Sequence, residues 1–282
     1  MSVRSIDTWD RPAAASRFSS RPSNAFQTLS SSMPAQPDRT ESPLGNAVLA
    51  AIPADELRQW EPFLEVVDLS LGQVLCEPGV ELEHVYFPLT SIVSLLYVMR
   101  NGESAEIALV GRDGMLGVTL FMGGNSTTIR AVVQSAGKSY RLPAGELTAA
   151  VDRGGETLRV LLLYTQSLLT QMTQTAACNR HHSLQQQFSR WLLLSFDRLQ
   201  GDEMIMTQKL IARMLGVERD AVTAAATALA ATGAIGYRDG HITLQDRVLL
   251  EESSCECYAE VRDECRRLLK VGESRPLVHA AT

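Results

Sequence analysis

Apolar and polar residues alternate in short runs along the first half of the chain. The runs are Leu64–Leu69, Gln73–Cys76, His84–Phe87, Ile92–Met99, Ile107–Val110, Thr127–Gln134 and Ser139–Leu142. Leu71-Gly72, Pro78-Gly79, Asn101-Gly102, Gly111 to Gly114 and Gly123-Gly124 separate them and read as turns. Many short strands at regular spacing predict a β-sandwich or barrel. Ahead of them, Leu49 to Trp60 has helical spacing, with Pro53 near a helix start and Leu57 and Trp60 on one side, so a compact domain begins near Asn46. After them the period lengthens. Glu156 to about Thr175 holds no Gly or Pro, and Leu158, Leu161, Leu162, Leu168, Leu169 and Met172 form a stripe, with Val160, Leu163 and Tyr164 off it. A helix apolar on most sides needs two burial partners. One is its own β-domain; the other is either more of the same core or the same helix of a second chain, packed as a short coiled coil.

Thr207 to Leu229 reads as two helices around a tight turn. Thr207 caps the first helix, Ile211, Ala212 and Leu215 face inward, and Gly216 sits where a positive φ is needed. Val217 and Val222 fill the angle between the helices. The order Ala212, Gly216, Val222 has the spacing of a DNA-binding helix-turn-helix. The second helix is expected from about Arg219 to Ala230, with its early residues at base edges. Arg219 can donate two hydrogen bonds to guanine, and Asp220 can accept from cytosine or orient Arg219. Gln208, Lys209 and Thr223 are candidates for phosphate or base contacts, with Thr207 beside them. Ile235–Arg238 and His241–Leu244 flank Asp239-Gly240 and predict a hairpin that serves as a wing, with Arg238 and His241 near phosphate.

Charge tempers this reading. The net charge is −6, which is unusual for a DNA binder. Residues 45–150 hold the excess of acids, and residues 151–282 are nearly neutral, so attraction to phosphate must come from a local patch doubled by dimerisation. The chain has no apolar run of the ~20 residues needed to span a bilayer and no secretory pattern, so a cytoplasmic, membrane-free protein is expected. Residues 1–44 are rich in Ser and Pro without a period and read as a disordered tail. The odd count of five cysteines, Cys76, Cys178, Cys255, Cys257 and Cys265, points to free thiols. Cys255 and Cys257 with Cys265 are candidates for holding a metal, together with Cys178 or with His181 and His182. The opposing view is a set of buried or idle thiols, because Cys-x-Cys side chains point apart on a helix. That view is preferred, and neither a metal nor a cofactor is expected. There is no nucleophile–base pair, phosphate loop or His-Glu-x-x-His motif, so an enzyme is not expected.

The chain also resembles the Crp/Fnr superfamily over about residues 45–270. The motifs that carry the resemblance are Leu71-Gly72-Gln73-Val74-Leu75, Glu77-Pro78-Gly79, Val85-Tyr86-Phe87-Pro88 and the run from Val110 to Gly117. They continue with Arg190-Trp191-Leu192-Leu193, Thr207-Gln208, Leu215 to Arg219 and Gly240 to Leu244. The resemblance implies an α+β fold, with an N-terminal cyclic-nucleotide-binding-like β-roll (45–150), a long dimerisation helix (151–177) and a C-terminal winged helix-turn-helix (178–248). A helical extension and tail (249–282) follow. The implied partners are double-stranded DNA, a second copy of the chain, RNA polymerase and a small-molecule effector of unknown identity. Relatives that bind cyclic AMP use Gly-Glu-Leu and then Arg-Ser to hold ribose and phosphate. Here those places read Gly114-Met115-Leu116 and Thr127-Thr128. The effector pocket would thus be lined by Met115, Leu116, Thr127 and Thr128, with Arg130 close by. Without the two charged groups a cyclic phosphate loses its charge-assisted pair, so cyclic nucleotides are not the expected effector. The tail lacks the cysteine cluster of the oxygen-sensing relatives. A second base-reading Arg of the activators is replaced by Ala224 or Ala225, so the operator is expected to differ from theirs. Two alternatives stay open: a redox- or metal-responsive regulator using the C-terminal cysteines, and an interaction module that has lost specific DNA binding.

Overall fold

A computed structural model describes residues 42–269 of the chain. The stretch read as a disordered tail lies outside the described residues up to position 41. The described chain opens with a 3-10 turn, Pro43–Gly45, capped by Ser42. Two short helices follow, α1 (Ala47–Ala51) and α2 (Ala54–Trp60). The sequence reading made one helical stretch of them, but Pro53 cannot donate to the preceding turn and breaks it. Asn46 caps α1 with its carbonyl oxygen, while its Nδ2 donates to the carbonyls of Pro88 and Gly114 at 2.9 and 2.8 Å, which ties the helix to the sheet below.

The alternating runs become seven strands: β1 (Glu65–Leu69), β2 (Val74–Cys76), β3 (His84–Pro88), β4 (Ile92–Val98), β5 (Ser104–Val110), β6 (Ile129–Ser135) and β7 (Gly137–Pro143). They form two antiparallel sheets, β1-β7-β3 and β2-β6-β4-β5. Their inner faces meet in one core, with Phe87, Met115, Leu142 and Leu147 fully buried and Trp60 tilted against Phe87. This is the β-roll of an α+β protein.

Helix α3 (Ala144–Arg153) ends at Gly154-Gly155, both at positive φ, and the chain turns into the 27-residue helix α4 (Gly155–His181). Its faces divide differently from the stripe read in the sequence. Leu161 and Leu168 face the β-roll, joined by Val160 and Tyr164, which the stripe left out. Leu162 and Leu169 point to solvent at 51% and 55% exposure.

A second core lies beyond α4. It gathers α5 (Leu184–Phe196), β8 (Glu203–Ile205), α6 (Gln208–Leu215), α7 (Arg219–Thr232), β9 (Ile235–Arg238), β10 (His241–Leu244), α8 (Arg247–Glu252) and α9 (Cys257–Leu269). Ser183 and Gln186 close α5 with a capping box, and its residues from Gln187 to Phe196 are all buried. The wing is a three-stranded sheet, β8-β10-β9, rather than the two strands expected, because Glu203–Ile205 adds an outer strand to β10. Helix α9 packs along α4 and belongs to both cores, with Tyr258 and Val261 in the second and Leu269 in the first.

Candidate nucleic-acid interface

Local chemistry shapes the helix pair. The Thr207 hydroxyl accepts from the Leu210 N–H at 3.3 Å and starts α6. Gly216 takes φ 67° and ψ 36°, a left-handed conformation that other residues adopt at a steric cost, and Val217 N–H then donates back to the Ala212 carbonyl at 3.0 Å. The turn lets α7 cross α6 with Ile211, Ala212, Leu215, Val222, Ala225, Ala226 and Leu229 in the core between them. Glu218 caps α7 without a side-chain bond, as expected of a residue whose carboxylate suits only the positive helix end.

The face that α7 leaves in solvent carries Arg219, Asp220, Thr223, Ala224, Thr227 and Ala228. Ala225 is buried, so Ala224 alone stands on that face where the sequence left two choices. Thr207, Lys209, Arg238 and His241 are also exposed, and Gln208 is half-buried. Gln208 is committed internally: its Oε1 lies 2.9 Å from the Thr223 hydroxyl, and its side chain bonds Tyr237 on β9. It therefore ties α6, α7 and the wing together. The wing turns on Asp239 (φ 52°) and Gly240 (φ 84°), two consecutive positive φ angles, the geometry that matches strand twist in a two-residue hairpin. The His241 ring sits 2.6 Å from Glu203 on β8, so His241 faces an acid, while Arg238 is exposed beside Asp239 at the tip of the wing.

The two cores meet along a buried polar seam. Arg198, at the end of α5, pairs with Asp113 at 2.6 Å and donates to the Gln171 side chain on α4 at 3.3 Å and to the Leu194 carbonyl. Trp191 donates to Glu106 at 2.9 Å, and Gln134 joins Ser94 on β4 to Ser195 on α5. Burial pushes the Glu106 carboxyl up to about 7, against the pull of Ser94 and Trp191 bonds and of the Arg190 and Arg198 cations. Sequence reasoning missed this seam. Gly111 and Gly114 form the turn that the sequence predicts, with the Gly114 N–H donating to the Gly111 carbonyl at 2.9 Å, and both also permit close approach across the seam. A Cβ at Gly111 would stand 2.6 Å from Arg198 Cγ, and one at Gly114 would stand 2.6 Å from the Tyr164 hydroxyl.

The residues read as an effector pocket differ in burial and in their partners. Met115 is fully buried and Leu116 nearly so, both within the β-roll core, and the Met115 carbonyl accepts from the Tyr164 hydroxyl on α4 at 2.8 Å. Thr127 holds the chain ahead of β6, with its hydroxyl accepting from the Ile129 N–H, and Thr128 is exposed. Arg130 is paired with Glu77 at 2.8 Å.

Residues 66–153 match the cyclic nucleotide-binding domain family, and residues 186–253 match the Crp-like helix-turn-helix domain family. The chain belongs to the Crp/Fnr superfamily. Solved structures of the same fold include FixK2 from Bradyrhizobium japonicum, with a TM-score of 0.57 at 18% identity over 68% of this chain and 98% of that one. A Crp/Fnr-family transcriptional regulator from Thermus thermophilus gives 0.55 at 22% identity, over 67% and 98%. A chain from Eubacterium rectale assigned to that family gives 0.59 at 12% identity, over 73% and 96%. No curated protein sequence matches. This Crp/Fnr chain thus has the domain pair of a transcription regulator with a DNA-binding helix-turn-helix. No helix among the described residues is long and apolar enough to cross a membrane.

Proposed function

We propose that this Crp/Fnr chain acts as a homodimer that binds a near-palindromic duplex site through α7, and that its effector is not a cyclic nucleotide. The observation that carries the reading is the exposed first turn of α7, where Arg219 and Asp220 stand free beyond the Gly216 turn. Arg219 reads guanine through O6 and N7, and Asp220 orients it or accepts from a cytosine amino group. Further along, Thr223, Ala224, Thr227 and Ala228 offer methyl groups suited to thymine C5-methyls, so the operator half-site pairs one guanine with an A·T-rich stretch. Thr207, Lys209 and Arg238 supply phosphate contacts that set the register.

Dimerisation rests on α4. Leu162 and Leu169 are exposed seven residues apart, a spacing that keeps both on one seam of a two-helix coil. Pairing there buries them and sets two recognition helices roughly 34 Å apart on successive major grooves. The near-neutral C-terminal half then presents its basic groups twice. RNA polymerase and an effector of other chemistry complete the proposed set of partners, in a cytoplasmic setting.

The test maps bound genomic sites in cells and measures affinity for the recovered site with Arg219→Ala. The expected loss is about 1–3 kcal/mol for each half-site. Unchanged operator binding overturns the reading and favours an interaction module. Micromolar affinity for cyclic AMP or cyclic GMP overturns the effector claim.

A further inference from the structure

Away from the DNA-binding face, three cysteines form a small buried cluster of their own, separate from both hydrophobic cores. Cys178, Cys255 and Cys257 are 0%, 6% and 2% exposed and pack on one another. Cys178 lies on the last turns of α4, and His182 caps that helix one turn later. Cys255 lies in the turn between α8 and α9, and Cys257 is the first residue of α9. Because Cys255 is outside the helix, the Cys-x-Cys pair does not diverge as two helical side chains would, and both residues pack on Cys178. Cys265 and His181 take no part: Cys265 packs against the β-roll core, and His181 is exposed.

We infer that Cys178, His182, Cys255 and Cys257 are a tetrahedral site for one thiophilic divalent metal ion, zinc(II) by its ligand set. Their ligand atoms all lie within 4.8 Å of one another. Cys178 Sγ is 3.5 Å from Cys255 Sγ, and Cys257 Sγ is 3.6 Å from His182 Nδ1. Bond lengths of about 2.3 Å to sulfur and about 2.0–2.1 Å to nitrogen in a tetrahedron require separations near ~3.8 and ~3.6 Å, so these two pairs already stand close to the coordinated geometry, with the remaining separations no longer than 4.8 Å. With Nδ1 turned to the thiols, the other ring nitrogen, Nε2, faces Glu256 Oε1 at 3.3 Å. That is the carboxylate–histidine pairing that fixes ring orientation at metal centres.

Binding replaces three S–H bonds with three metal–sulfur bonds and releases three protons to solvent, leaving a group of net charge −1. Arg190 supplies the compensating cation. It is 4% exposed, its Nε is buried without a hydrogen-bond partner, and among the described residues it forms no ion pair. Its field acts on both Cys178 and Cys257. Four protein ligands in a buried, closed site mark a structural rather than a catalytic ion. Its place is the elbow where α4 passes into α5, so the ion fastens the end of the long helix to α9 and fixes the angle at which the DNA-binding module is carried. The site stands whether or not the DNA reading does.

The test uses full-length protein from zinc-supplemented cells, purified without oxygen or chelator. Metal analysis is expected to give close to one zinc per chain. Cobalt(II) put in its place is expected to show intense thiolate-to-metal charge transfer and tetrahedral d–d bands, which report the ligands in the unmutated protein. Cys178→Ser and Cys257→Ser are expected to lose the zinc or alter the cobalt bands, whereas Cys265→Ser keeps both. Glu256→Ala is expected to weaken zinc affinity roughly 10-fold. Three results would each overturn the site: zinc-free protein with no cobalt charge-transfer band, cobalt bands indifferent to Cys178→Ser and Cys257→Ser, or a Cys178–Cys255 disulfide in the anaerobic protein.

Discussion

The first turn of α7 and the Gly114-to-Leu116 stretch of the β-roll are both candidate ligand sites by sequence, and the fold treats them in opposite ways. In α7 the polar groups stand in solvent on a face shaped by Gly216 and supported by Gln208. In the β-roll the matching position is Met115, without exposure, its carbonyl bonded to α4. Arg130 is paired with Glu77. One region holds charged side chains in solvent; the other places Met115 in the packing of the core. A shared fold therefore transmits the scaffold more faithfully than the chemistry placed on it.

The strongest way to break this comparison is to restore the missing acid. Met115→Glu places an unpaired carboxylate in a sealed apolar core and is expected to destabilise the protein by on the order of 4 kcal/mol, read as a drop in urea midpoint. Near-normal stability, with cyclic nucleotide affinity gained, would show that the cassette is still an open site. The seam between the regions gives the next effect. The Glu106 carboxyl titrates near 7 in the folded chain against an ordinary 4.5, so its contribution is fully present below 4.5, falls as pH rises toward 7 and is constant above that. Glu106→Gln keeps an acceptor for Trp191 but does not titrate. Relative to the parent, it is expected to gain about 3 kcal/mol of stability between pH 4 and pH 8. Parallel stability curves for the two proteins would remove Glu106 from the account. Thr207→Ala removes the cap of α6 and is expected to lower stability by about 1 kcal/mol in chemical unfolding, with operator affinity falling too if Thr207 touches phosphate. The smallest effect belongs to Arg130→Ala. Its pair with Glu77 is partly solvated, so a change of about 0.5 kcal/mol or less in the unfolding midpoint is expected.

Much of the scaffold was legible in the sequence because its signals are local. Alternation along Ile92–Met99 becomes β4 within a residue, and Asp239-Gly240 becomes a two-residue turn. The candidate DNA contacts were legible for the same reason: helical phase alone leaves Arg219 and Asp220 outside once Val222 and Leu229 are inside. The effector residues were not. Phase can place Met115 on a loop between strands, but whether that loop lines a cavity or fills one depends on Tyr164, 49 residues away. The long helix shows the limit on a finer scale, since six apolar residues were read as one stripe and the fold sends Leu161 inward and Leu162 outward.

The sequence alone determined most of the elements, the Gly216 bend and the Thr207 cap, because each follows from steric limits and hydrogen bonds among neighbours along the chain. Only the tertiary structure decided that Arg198 meets Asp113 and that Cys178 and His182 meet a Cys-x-Cys pair some 77 residues later. Those meetings depend on how α9 folds back along α4, a packing of whole elements that no periodicity records.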